Sequence, residues 1–105
     1  MSLRPLFAIL PLLLLVGCST HKYVAASHPN GKPEVVVYMK GKGEDAVKVM
    51  EKVYYPTGRL EYVGRFENGV EHGIHYDYSP DGQVYRELHY DHGRLVKEVD
   101  LSKMK

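Results

Sequence analysis

The chain is poor in several things that hold small proteins together or give them a reaction. One cysteine stands in 105 residues, at Cys18, so no intramolecular disulfide can form and stability must come from packing and hydrogen bonds. An excess of charge is missing as well, since 14 Lys and Arg face 13 Asp and Glu. That balance excludes the concentrated positive surface which nucleic acid selects, and no nucleic acid partner is expected. No apolar run is long enough to cross a bilayer: the longest, Leu6 to Val16, would reach about 17 Å as a helix against a hydrocarbon core of about 30 Å. Sustained helical spacing is absent, and so are a carboxylate pair, a Ser-His pair and a glycine-rich phosphate loop. No catalytic residue, no cofactor and no resident metal are expected.

What is present begins with the first residues. Met1-Ser2-Leu3-Arg4 is a short basic opening, Leu6 to Val16 is apolar, and Gly17-Cys18-Ser19-Thr20 follows, which is the layout of a secretory signal. Pro5 and Pro11 argue against a permanent membrane helix, because proline removes a backbone hydrogen bond and crowds the preceding turn. Residues 19 to 33 are rich in Ser, His, Lys, Pro, Asn and Gly without apolar period, and are read as a flexible tether.

From Glu34 onward the character changes to β-branched and aromatic runs such as Val35-Val36-Val37-Tyr38. A repeat then appears. Tyr54-Tyr55-Pro56-Thr57-Gly58-Arg59-Leu60 superposes on Tyr78-Ser79-Pro80-Asp81-Gly82-Gln83-Val84 at an offset of 24, and the same offset lays Phe66-Glu67-Asn68-Gly69 over Tyr90-Asp91-His92-Gly93. A worn copy, Tyr38-Met39-Lys40-Gly41, lies 28 residues before Phe66 to Gly69. Ser79-Pro80-Asp81-Gly82 suits a hairpin turn, with proline presetting φ and glycine accepting the left-handed closing position. The expected architecture is all-β, an antiparallel meander of about six strands.

With Pro80 to Gly82 as the loop, the expected pairs are Tyr78 with Val84, Tyr76 with Arg86, Ile74 with Leu88 and His72 with Tyr90. This register gathers Tyr54, Tyr62, Phe66, Tyr76, Tyr78 and Tyr90 on one face, a candidate partner surface, because tyrosine supplies large contact area with a polar tip. It also divides the histidines into His72 with His92 on that face and His75 with His89 on the other. Each pair could recruit only Asp91 or Asp77, fewer ligands than zinc wants, so solvated histidines are expected.

Two resemblances sharpen these readings. Leu15-Val16-Gly17-Cys18 resembles the bacterial lipobox, which implies cleavage between Gly17 and Cys18 and diacylglycerol on the Cys18 thiol. Ser19, in place of an aspartate, implies transfer to the outer membrane, facing the periplasm. The alternation of Tyr/Phe-x-Asn/His-Gly with x-Pro-x-Gly-x-Leu from Val37 to about Lys97 resembles the MORN repeat, in the bacterial variant found in antitoxin-like proteins. Lys97 stands where the earlier copy has Gly73, so the last unit departs from the pattern.

The resemblance implies curved β-hairpin sheets that bind proteins or lipids without catalysis. The expected organisation is a signal peptide at 1–17, a lipidated tether at 18–33 and a MORN-like domain at 34–105. The expected function is a membrane-anchored binding lipoprotein, most sharply an immunity protein occupying a toxin. The alternative is a structural envelope protein that binds peptidoglycan or lipopolysaccharide or self-associates through its edges. A third role, metal sensing through the histidines, would show as stabilisation by zinc.

Overall fold

A computed structural model of the protein describes residues 20–103. Eight strands follow in order: β1 (Thr20–Ser27), β2 (Pro33–Lys40), β3 (Val47–Tyr54), β4 (Leu60–Glu67), β5 (Val70–Glu71), β6 (Gly73–Tyr78), β7 (Val84–Asp91) and β8 (Arg94–Asp100). Every strand pairs antiparallel, in the order β1-β2-β3-β4-β6-β7-β8, with β5 a two-residue spur on β4. The expected antiparallel meander is therefore what the chain forms. Gly17, Cys18 and the rest of the signal segment lie outside the described residues.

Two expectations are corrected. The first is the tether. Residues 20–33 form β1 and the turn that folds it onto β2, so among the described residues the sheet already includes Thr20 and has eight strands, not six. Tyr23 lies opposite Val37 and Val24 opposite Val36. His28-Pro29-Asn30-Gly31 closes the hairpin, with the His28 N–H donating to the Lys32 carbonyl at 2.8 Å and Gly31 in the left-handed region at φ 89°. It is a third x-Pro-x-Gly turn. Pro, Asn and Gly serve tight turns and flexible linkers alike, so composition alone does not separate the two.

These turns stack along one end of the sheet. In each of the first two, the residue before proline reaches across to the next hairpin: His28 Nε2 meets the Tyr54 carbonyl at 2.7 Å, and Tyr55 Oη donates to the Tyr78 carbonyl at 2.7 Å. Asn30 Nδ2 donates to the Pro56 carbonyl at 2.9 Å, tightening the same seam. Ser79, the corresponding residue of the third turn, bonds within its own loop to Asp81 and the Gln83 carbonyl. A repeat in sequence thus becomes a repeat in hydrogen bonding.

The second correction is register. Ser79–Gln83 and Tyr78–Val84 pair as expected, but the next pair is Asp77 with Arg86, so Tyr85 is an extra residue in β7. Beyond it Tyr76 faces Glu87, His75 faces Leu88 and Gly73 faces Tyr90. An equivalent bulge at Glu61 follows the second turn, where Tyr54 pairs with Leu60 but Val53 with Tyr62. A bulge shifts the alternation by one residue and increases local twist, which exchanges the faces assigned to everything beyond it.

The interior is small. Among the described residues, Val36, Val37 and Val63 are the buried apolar side chains, and His75 is completely buried. Val36 and Val37 are neighbours on one strand and point to opposite faces, so both faces of the sheet are covered there.

Candidate functional site

The register places Tyr62, Gly64 and Phe66 of β4, Gly73, His75 and Asp77 of β6, and Arg86, Leu88 and Tyr90 of β7 on one face. Three of the six expected surface aromatics belong to it. Tyr62, Phe66 and Tyr90, each partly exposed, surround His75, with ring centroids 5.7, 6.0 and 4.6 Å from the imidazole. Tyr54, Tyr76 and Tyr78 stand on the opposite face. The single aromatic stripe is thus divided between two faces by the bulges.

His75 sits where the ladder between β4 and β6 is interrupted. Regular pairing of these strands covers Tyr62 with Asp77 and Val63 with Tyr76. Beyond that point the Arg65 main chain meets the His75 ring, whose Nε2 lies 2.9 Å from the Arg65 carbonyl, while the His72 N–H donates to the same carbonyl at 3.1 Å. On its other side Nδ1 lies 2.5 Å from Tyr62 Oη. With hydrogen on Nε2, Nε2–H donates to the Arg65 carbonyl at 2.9 Å and Nδ1 accepts from Tyr62, and this tautomer gives up the longer contact in which the Arg65 N–H lies 3.2 Å from Nε2. Burial lowers the imidazole pKa from its usual 6.5, opposed by the Arg65 carbonyl bond and the charges of Glu71 and Asp77, and assisted by the Arg65 charge. Burial likewise raises the pKa of the Tyr62 phenol. Both groups are held neutral, and His75 is sealed from any substrate, so this is a structural junction.

Gly64 completes it. A Cβ there would overlap the Tyr62 hydroxyl and lie 3.0 Å from His75 Nδ1. Beside the junction, Arg86 Nε donates to Asp77 Oδ2 at 2.7 Å, and Lys48 Nζ lies 4.3 Å from the Phe66 ring centroid. Long cationic side chains cover this face of the sheet.

The most exposed large apolar side chains among the described residues lie on the two edge strands, with Val47 and Val70 exposed elsewhere. On β1, Tyr23 and Val24 are 50% and 51% exposed; on β8, Leu95 and Val96 are 47% and 54% exposed. A pocket of about 440 Å³ opens beside β1, lined by Lys22, Tyr23, Val24, Pro33, Val36 and Tyr54 among others. Tyr54 is the one expected surface residue that borders it. Sequence reasoning missed β1 as a surface because its residues were assigned to the tether.

The histidines also regroup. His89 pairs with Glu87 at 3.0 Å on the face opposite His75. His72 and His92 come together with ring centroids 4.6 Å apart and Asp91 beside both, as expected, and the β4–β5 turn brings in Glu67 as a further neighbour.

Comparison with protein families matches residues 71–92 to a model described as the MORN repeat variant. That span covers β6, the third x-Pro-x-Gly turn and β7, the clearest unit of the sequence repeat. It marks a binding or structural repeat protein, an all-β type that is typically non-catalytic. No curated protein and no solved structure matches the chain.

Proposed function

We propose that this is a lipid-anchored, non-catalytic binding protein of the bacterial envelope, whose β1 edge and adjoining pocket receive a protein partner. The observation that carries the reading is the position of β1. Among the described residues it is an edge strand, paired on one side by β2, and it exposes Tyr23 and Val24 beside a largely apolar pocket. Such an edge favours added-strand recognition, with main-chain hydrogen bonds giving affinity and side-chain pockets giving specificity. The lipobox-like Leu15 to Cys18 supports the anchor, and acyl chains on Cys18 would hold the protein to the membrane. Only Ser19 separates Cys18 from the first strand residue, so this edge would lie close to the bilayer.

The sharpest form of the reading is immunity: the partner is a toxin reaching the periplasm, neutralised by contact at the outer membrane. Cross-linking in the native host followed by capture of the full chain tests it, with a Tyr23→Asp/Val24→Asp variant run in parallel. A specific protein recovered with the wild type and lost with the variant is the expected result. Equal recovery with both, or no protein partner at all, would count against the reading. A Cys18→Ser variant should leave the membrane fraction.

A second reading rests on the other edge. Leu95 and Val96 on β8 expose apolar surface at the opposite side of the sheet, and pairing of edges between copies would build a larger envelope structure. Recovery of the chain's own second copy would favour it.

A further inference from the structure

At the end of the sheet away from the Pro-Gly turns, three chain segments converge: the β4–β5 turn, the link between β5 and β6, and the β7–β8 turn. They bring Glu67, His72 and His92 together with one ligand atom from each, all within 4.8 Å of one another. His92 Nε2 lies 3.7 Å from Glu67 Oε1, and its opposite nitrogen, Nδ1, lies 2.6 Å from Asp91 Oδ1. We propose that Glu67, His72 and His92 form a zinc site, with Asp91 as the carboxylate that orients His92.

The chemistry fits the donor set. Two imidazoles and a carboxylate leave one tetrahedral position for water or for a donor from a partner. Tetrahedral zinc with bonds of about 2.0–2.2 Å puts its ligand atoms about 3.4 Å apart. The Glu67 to His92 separation is already near that, and the remaining contraction falls on exposed turn side chains that can rotate. Asp91 holds the proton of neutral His92 on Nδ1, which turns the Nε2 lone pair toward Glu67; metal-ligating histidines are commonly fixed in this way. Coordination through His72 Nδ1 would displace only a modest contact, from the His92 N–H at 3.2 Å, and coordination through Nε2 would keep it.

The backbone brings these residues together independently of any ion. Gly93 donates from its N–H to the Glu71 carbonyl at 2.7 Å, which ties the β7–β8 turn to the strand before His72. His92 itself occupies the left-handed region at φ 49°, as does Asn68 at φ 52° in the equivalent position of the preceding unit. Bound zinc would therefore join two successive repeat units at their turns, and it would do so whatever partner the β1 edge takes.

Zinc titration of the full chain, purified in detergent and stripped with chelator, tests this by calorimetry and thermal melting. The expected result is one zinc per chain, with Tm raised by about 10–20 °C when free zinc is a hundredfold above Kd. His92→Asn keeps the backbone, since asparagine already serves at position 68, and should abolish the effect, as should Glu67→Gln. Asp91→Asn should weaken binding about 10- to 100-fold. His89→Gln, outside the cluster, should bind as the wild type does. A wild-type chain that takes up no zinc would overturn the proposal and leave His92 as a hydrogen-bond partner of Asp91. Binding that survives both His92→Asn and Glu67→Gln would place the ion elsewhere and overturn it equally.

Discussion

Replacing Gly64 with alanine should destabilise the protein, against the general rule for strand interiors. Alanine in place of glycine usually gains about 0.5–1 kcal/mol in a strand, because glycine loses more backbone freedom on folding. At Gly64 the new Cβ would overlap the Tyr62 hydroxyl and lie 2.9 Å from Tyr62 Cζ and 3.0 Å from His75 Nδ1. Neither ring is free to yield, since Tyr62 is bonded to His75 and His75 to the Arg65 main chain. Overpacking of this kind costs about 1–3 kcal/mol. Displacing the hydroxyl also leaves a buried imidazole nitrogen without its donor, which costs about 1–3 kcal/mol. The two effects share one cause and do not simply add, so the net loss is expected at about 2–4 kcal/mol. Each kcal/mol lowers Tm by about 4–8 °C in a domain of this size. Urea unfolding followed by far-ultraviolet circular dichroism measures the loss as a lower midpoint at unchanged slope. Tyr62→Phe supplies the control: with no hydroxyl to meet, the alanine should cost at least about 1 kcal/mol less than it does beside tyrosine. An alanine variant as stable as the wild type, or an equal loss in both backgrounds, would refute the junction as described.

Stability should fall as pH drops below about 6.5, the ordinary histidine value, because the folded state holds His75 at a lower pKa and the unfolded chain then binds the extra proton. Above 6.5 both states are neutral there and this contribution is complete; urea midpoints at pH 8 and 5.5 should differ less in His75→Gln than in the wild type. Tyr55→Phe removes the bond to the Tyr78 carbonyl and should cost about 0.5–1.5 kcal/mol by the same unfolding assay. Val at position 68 should cost about 1–2 kcal/mol relative to Asn, since a β-branched residue is strained at a φ of 52°. Deleting residues 1–27 should lower Tm well below that of a chain beginning at Thr20, because Val36 and Val37 lose their β1 partners.

Much of the fold was legible because turn chemistry is local. Pro80 with Gly82 and Pro56 with Gly58 each marked a loop, and the pairs next to them, Tyr78–Val84 and Tyr54–Leu60, form as read. What failed was extrapolation along the strand. Tyr85 and Glu61 carry no mark of a bulge, because a bulge answers to twist across the whole sheet rather than to the residue that occupies it. One extra residue then moved His75 from the solvated face to the centre of the fold, and it separated Tyr62, Phe66 and Tyr90 from Tyr54, Tyr76 and Tyr78. The N-terminal hairpin was legible in principle, since His28-Pro29-Asn30-Gly31 has the same design as the later turns. Its polar strand, with Thr20, His21 and Lys22, hid the pattern. Glu67 joined His72 and His92 through contacts between turns, which no sequence spacing reveals.

Residue-resolved amide hydrogen exchange of the intact chain tests most directly whether one continuous antiparallel sheet runs from β1 to β8. A continuous sheet predicts slow exchange throughout β2 to β7, slowest around β4, β6 and β7, and protection in β1 at the amides that face β2. Exchange across residues 20–27 at the rate of an unstructured peptide, or equal lability on both sides of the His75 junction, would contradict it.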